Sequence, residues 1–237
     1  MPNFIIKVKE TGAKKADTNV KGLNRSLGSL KSSAMMAAGA FLGAGALIAG
    51  IKGAVNAFGE QELAEKKLEA SLGKTSQALL NQAAALQQVS VFGDETIIAA
   101  QAMIAAFVKD EDQIKLATQA TLDLAAAKGM DLVTAADLVS KTLGSSTNAM
   151  SRYGIEVKGA VGSSERLASL TENVGKTFGG QALAQSQTMT GSMTQMSNAI
   201  GDAAESIGGL LSPAVVAIAN TLKFFAEGTQ AAIDALK

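Results

Sequence analysis

A chain of 237 residues has room for one or two folded units, and its 21 basic and 21 acidic side chains leave no net charge at pH 7. Histidine, cysteine and tryptophan are absent, which excludes an imidazole general base, a thiol nucleophile, a zinc finger and a disulfide framework. With 2 prolines, 24 glycines, 4 % aromatic and 47 % hydrophobic residues, the composition favours helices packed through small side chains and argues against wholesale disorder. The expected fold class is all-α, with one short N-terminal β-strand.

Residues 1–31 form a basic arm. Lys7, Lys9, Lys14, Lys15, Lys21, Arg25 and Lys31 face only Glu10 and Asp17, a net of +5. Phe4, Ile6 and Val8 alternate with Ile5, Lys7 and Lys9, which predicts the strand. Thr11-Gly12 closes it, and a basic helix is expected from Asp17 or Thr18. The apolar run starts too late, after a long polar stretch, to be read as a signal peptide.

A second segment, 32–53, is Gly/Ala-rich. Residues 32–51 are 20 in number without a charge, and as a helix they would be about 30 Å long, the thickness of a bilayer core. Seven alanines and four glycines dilute Met35, Met36, Phe41, Leu42, Leu47, Ile48 and Ile51. These seven are the candidates for membrane insertion. Three readings are weighed: a helix buried against others, one that enters lipid transiently, and, least favoured, a permanent single-pass anchor. Gly39 and Gly43 form a GxxxG pair, which allows close helix approach in lipid but arises readily in Gly-rich sequence.

Residues 54–180 are expected to be a compact helical domain. One helix runs from 54 to 72 and stops at Gly73, and another covers 75–89. Asp94 is the predicted N-cap of the next, which carries Ile97, Ile98, Met103, Ile104, Phe107 and Val108. Asp110 caps a fourth, with Gln113 at the capping-box position. That helix aligns Ile114, Ala117, Thr121, Leu124 and Ala125 and stops at Gly129. Asp131 caps a fifth, with Leu132, Ala135, Ala136, Val139 and Leu143 inward. A polar stretch over 145–162 contains Arg152-Tyr153-Gly154, and a short helix over 164–174 precedes Gly179-Gly180.

Residues 181–237 have the most regular pattern. Met189, Met193, Met196, Ile200, Ala203, Ile207 and Leu210 step alternately by four and three residues. A break is expected at 208–213, with Ser212 as cap and Pro213 in a first turn. The rhythm then resumes out of phase through Leu211, Val215, Ile218, Leu222, Phe225, Thr229, Ala232 and Leu236. A sustained 3.5-residue period predicts coiled-coil-like helices and a self-association seam. The competing reading is a pair of amphipathic helices folded onto the domain. Thr190, Ser192, Thr194, Gln195, Ser197 and Asn198 are expected outward, and from 181 to 222 the charges are Asp202 and Glu205 alone. Such an exterior would not adhere electrostatically to a surrounding wall.

The search for chemistry finds no candidate catalytic, cofactor-binding or metal site, so no enzyme activity and no cofactor is expected. GxxxxGK[ST] does not occur. Asp94-Glu95 and Asp110-Glu111-Asp112 sit at predicted helix starts, where carboxylates satisfy free N–H groups. Asp123, Asp131 and Asp137 lack metal-loop spacing. Tyr153 beside Arg152 is expected to be a packing or loop-fixing residue, not a catalytic phenol. Basic residues lack interleaved aromatics, leaving at most nonspecific DNA contact by the arm.

An ordered series of motifs resembles the shared domain of tailed-phage tail tape measure proteins over about residues 55–220. It begins with Phe58-Gly59-Glu60-Gln61-Glu62 and Ala64-Glu65-Lys66-Lys67-Leu68. It continues through Phe92-Gly93-Asp94-Glu95, Ala100-Gln101-Ala102-Met103 and the run from Leu122 through Lys128-Gly129-Met130-Asp131 to Leu132. Ala135-Ala136, Lys141, Ser151-Arg152-Tyr153-Gly154-Ile155 and Glu165-Arg166-Leu167 follow. Phe178-Gly179-Gly180-Gln181-Ala182 and Ile200-Gly201-Asp202 close the series. The resemblance implies a structural virion protein in the tail tube lumen, which sets tail length during assembly and leaves before the DNA at ejection, with entry into the host membrane on the way. It implies a homo-oligomer, three copies favoured over six, and as partners the tail tube protein, tail tip or baseplate proteins and a tail assembly chaperone. Members are usually much longer, so the chain would be a short or minimal version. The alternative is a membrane-active, pore-forming or secreted helical protein driven by residues 32–51.

Overall fold

The computed structural model describes residues 44–235. The chain divides into two units, Met1–Lys52 and Gly53–Lys237. The expected strand over Phe4, Ile6 and Val8, the basic helix after it, and Met35, Met36, Phe41 and Leu42 lie outside the described residues. Among those described, the fold is all-α: eight α-helices, one 3₁₀ turn and no strand. They are α1 (Ala44–Leu72), α2 (Gln77–Gln87), α3 (Asp94–Ala105), α4 (Glu111–Lys128), α5 (Leu132–Gly144), the 3₁₀ turn Ala149–Tyr153, α6 (Ser164–Phe178), α7 (Gln181–Ser186) and α8 (Met189–Ala235).

Local chemistry sets most helix starts. The Ser76 hydroxyl accepts from the Leu79 amide at 3.3 Å, Asp110 from Gln113 at 2.9 Å, and Ser163 from Arg166 at 3.1 Å. Asp131 accepts from both the amide and the hydroxyl of Thr134, at 2.8 and 2.6 Å. Each carboxylate or hydroxyl satisfies an amide that the helix leaves unpaired. Asp94 departs from expectation. Gly93 is the N-cap, Asp94 is the first helical residue, and its amide donates to Gln87 Oε1 at 2.6 Å. A side chain from the end of α2 therefore does the work expected of a local cap. Gly129 ends α4 in the left-handed region at φ 61°, which a residue with a Cβ enters only at a cost.

The centre of the domain is α4, which packs against α2, α3, α5, α6 and α7. The predicted stripe Ile114, Ala117, Thr121, Leu124 and Ala125 is buried, and so are Thr118, Ala120, Leu122 and Asp123. A helix covered on so many sides must satisfy its polar groups internally. Thr118 and Thr121 donate to the carbonyls of Ile114 and Ala117, both at 2.7 Å. Asp123 accepts from the Ala182 amide at 3.1 Å, tying α7 to α4. On α5, Leu132, Ala135, Ala136, Val139 and Leu143 are buried as predicted.

The polar stretch over 145–162 is organised by one buried cation. Arg166 donates to the carbonyls of Thr142 at 2.5 Å, Ser145 at 3.0 Å and Gly159 at 3.1 Å. Its planar fork of N–H groups suits several carbonyls at once. Tyr153 packs against the core with the Lys128 ammonium 5.6 Å from its ring centroid and 4.6 Å from that of Phe178. Of the two roles expected for Tyr153, the structure shows the packing one.

The expected interruption at 208–213 is not a break in the helix. α8 is one helix of 47 residues with Pro213 inside it. Proline removes one donor and crowds the carbonyl four residues earlier, which here belongs to Gly209, yet the helical path continues. The one-residue slip of the apolar pattern thus becomes a rotation of about 100° around a continuous helix axis. Gly208 serves close approach instead of termination: a Cβ there would overlap the carbonyl oxygen of Ala54 and the Cβ of Phe58 on α1. We expect Gly208→Ala to lower stability by about 1–3 kcal/mol through overpacking, measured by urea unfolding against Gly201→Ala, where a Cβ meets open space.

Candidate functional site

The candidate site is the first half of α8, whose two faces have opposite characters. The helix opens where the Thr188 hydroxyl accepts from the Gly191 amide at 2.9 Å. On its inner face Gln195 Nε2 donates to the carbonyls of Gln88 and Ser90 at 3.0 and 3.1 Å, and Asn198 Nδ2 to Val91 at 3.3 Å. Asp202 Oδ2 accepts from Gln87 Nε2 at 2.7 Å. Gln195 and Asn198 were expected outward together with Thr190, Ser192, Thr194 and Ser197. The structure turns Gln195 and Asn198 toward the domain and leaves Thr190, Ser192 and Ser197 exposed. The physical reason lies in residues 88–91, between α2 and α3. Their backbone carbonyls lack helical donors, and side-chain amides satisfy them where apolar groups could not.

The apolar seam faces away. Met189 is 83 % exposed, Met193 64 %, Met196 61 %, Ile200 63 % and Leu210 79 %. Ala203 is exposed as well, Ile207 and Leu211 are half-buried, and Val215 lies just on the exposed side. Ile218, Leu222 and Phe225 belong to the same helix, but their side chains, like the whole of Leu236, lie outside the described residues. A row of large apolar side chains at heptad spacing, held out by a polar inner face, is the kind of surface that marks a contact site.

Between the two faces the sequence reading missed a junction of carboxylates. Ligand oxygens of Asp94, Glu95 and Glu205 lie within 4.8 Å of one another, and Asp202 adjoins them through Gln87. Burial, then the charges of Asp202 and Glu95, push Asp94 up to about 6. Burial, then Asp94, Asp202, Glu95 and Glu65, push Glu205 up to about 7. Burial also raises Asp202, against the opposing effect of its hydrogen bond from Gln87. An all-oxygen donor set of this kind matches hard cations in ligand type. Asp94-Glu95 looked like helix capping alone, because the partner carboxylates follow about a hundred residues later in the chain.

The other carboxylates singled out earlier have protein partners. Asp131 caps α5, Asp137 pairs with Lys141 at 2.6 Å, and Asp123 holds the Ala182 amide. A hollow of about 120 Å³ beside Glu62, Glu65, Leu68, Thr75 and Leu80 is smaller than the roughly 300–1,000 Å³ of small-molecule sites. Of the membrane-insertion candidates, Leu47, Ile48 and Ile51 fall in α1. Among the described residues no helix is long and apolar enough to cross a membrane.

Compared with known proteins, the chain matches no family model, no curated protein and no solved structure.

Proposed function

We propose that this chain is a structural, non-enzymatic protein of a phage tail: a tape measure that lies in the tail tube lumen, self-associates along α8 and sets tail length. The observation that carries the reading is the exposed heptad row Met189, Met193, Met196, Ile200 and Leu210, a surface suited to sister helices. The ordered motifs from Phe58 to Asp202 support the same reading, as does the uncharged exterior of α8 at Thr190, Ser192 and Ser197. Three copies, rather than six, share the lumen in this reading, surrounded by the tail tube protein, ending at tail tip or baseplate proteins and handled by an assembly chaperone. The chain leaves ahead of the DNA.

The experiment is an insertion that lengthens α8 without disturbing its seat on the domain. Four heptads placed after Val216 add about 42 Å of helix. Tails assembled with this variant should be longer by about that amount in electron micrographs, and deletion of whole heptads should shorten them. Tails of unchanged length would overturn the ruler role.

A further inference from the structure

We propose that Met189, Met193 and Met196 form a reversible oxidation site, through which a peroxide weakens the association of α8 with its sister copies and a sulfoxide reductase restores it. The regulatory half of this inference rests on the self-association reading of α8; the selectivity of the oxidation does not.

The six methionines among the described residues fall into two classes. Met150 is fully buried in the core, and Met103 and Met130 pack against it. Met189, Met193 and Met196 are each at least 61 % exposed, and they supply three successive steps of the heptad row. Beyond them the row continues with Ile200, Ala203, Ile207 and Leu210, which carry no sulfur. The oxidisable part of the seam is therefore confined to the start of α8.

The reaction needs only a small oxidant and an accessible thioether. Hydrogen peroxide transfers one oxygen to sulfur: the O–O bond breaks, an S–O bond forms, and the second oxygen leaves as water with both peroxide hydrogens. Sulfur gives up two electrons and the peroxide gains them. A thiol-dependent methionine sulfoxide reductase reverses the change, two thiols becoming a disulfide while the sulfoxide oxygen leaves as water.

The product alters the surface without touching the fold. α8 is seated by Gln195 and Asn198 on backbone carbonyls and by Asp202 on Gln87, all on the face turned away from the row. Oxidation at the three methionines leaves these bonds intact and places a strong acceptor in a row of apolar side chains that presents no donor. Between sister helices that oxygen would lose its water without replacement, which disfavours burial.

The test treats the full chain with dilute hydrogen peroxide and follows it by peptide mass mapping and sedimentation velocity. Met189, Met193 and Met196 should gain oxygen well before Met103, Met130 and Met150. The oxidised chain should keep its circular dichroism, and its dissociation constant for self-association should rise by at least about tenfold. Reductases for both sulfoxide epimers should bring it back. A variant with Met189→Leu, Met193→Leu and Met196→Leu, close in volume and without sulfur, should associate as before and no longer respond to peroxide, although it keeps Met1, Met35 and Met36. Oxidation of Met103, Met130 or Met150 as early as the three in the row would overturn the site. Unchanged association after the row is oxidised would overturn the switch and leave the seam standing, as would an equal response in the leucine variant. An unoxidised chain that stays monomeric at every concentration would overturn the seam itself, and the switch with it.

Discussion

Arg166→Met is expected to destabilise the domain by about 2–4 kcal/mol, because it strands the carbonyls of Thr142, Ser145 and Gly159 that the guanidinium satisfies. Methionine fills much of the space with apolar atoms but donates nothing. The stretch over 145–162 is also held by a 3₁₀ turn at Ala149–Tyr153, by the buried side chains of Met150 and Ile155, and by the Asn148 amide on the Ile155 carbonyl at 3.1 Å and the Asn173 amide on the Glu156 carbonyl at 2.8 Å. None of these contacts pairs the three carbonyls that Arg166 satisfies. Arg166→Lys should rescue only part of the loss, since a single ammonium does not span three carbonyls in a fixed plane. Urea unfolding followed by circular dichroism measures both variants. If Arg166→Met unfolded at the same midpoint as the unsubstituted chain, the guanidinium would not be the organiser of this loop.

The second large effect concerns association. Met196→Asp combined with Ile200→Asp should leave the domain folded, because both side chains are more than half exposed on α8 and exposed substitutions typically change stability by under about 0.5 kcal/mol. In an assembly built on the seam, the same pair would bury two carboxylates where two apolar side chains each contributed about 1.5–3 kcal/mol. The dissociation constant should rise by at least about a hundredfold. Sedimentation velocity across a concentration series should show the unsubstituted chain associating and the variant remaining a monomer. Ser197→Asp, on the polar exterior, is the control and should associate normally. Equal association by the double variant would show that α8 pairs with nothing through this row, and would remove the lateral contact from the tape-measure reading.

Much of the helical domain was legible locally. Asp110, Asp131 and Gly129 mark their helix ends because capping needs only a few consecutive residues. The inward stripes of α4 and α5 follow from helical periodicity, since one buried face repeats every three to four residues. Asp94 was misassigned as a cap for the opposite reason: the acceptor that relieves its helix start is Gln87, a side chain positioned by the packing of α2 on α3. Arg166 gave no local sign of burial, because its three acceptors come from residues 7 to 24 positions away.

At α8 the division is clearest. Sequence alone determined that a heptad row of Met, Ile and Leu shares one side of a helix with polar residues on the other, because that follows from a helix's residues per turn. It could not determine which side meets the domain, and hydrophobicity alone would have chosen the wrong one. Only the tertiary structure decided it. Unpaired carbonyls at Gln88, Ser90 and Val91 call for amide donors, and Ala54 and Phe58 leave room at Gly208 for nothing larger than hydrogen. The polar face therefore turns inward and the apolar row is left outside. The same docking brings Asp94 and Glu95 against Asp202 and Glu205, a meeting of charges that no sequence period encodes.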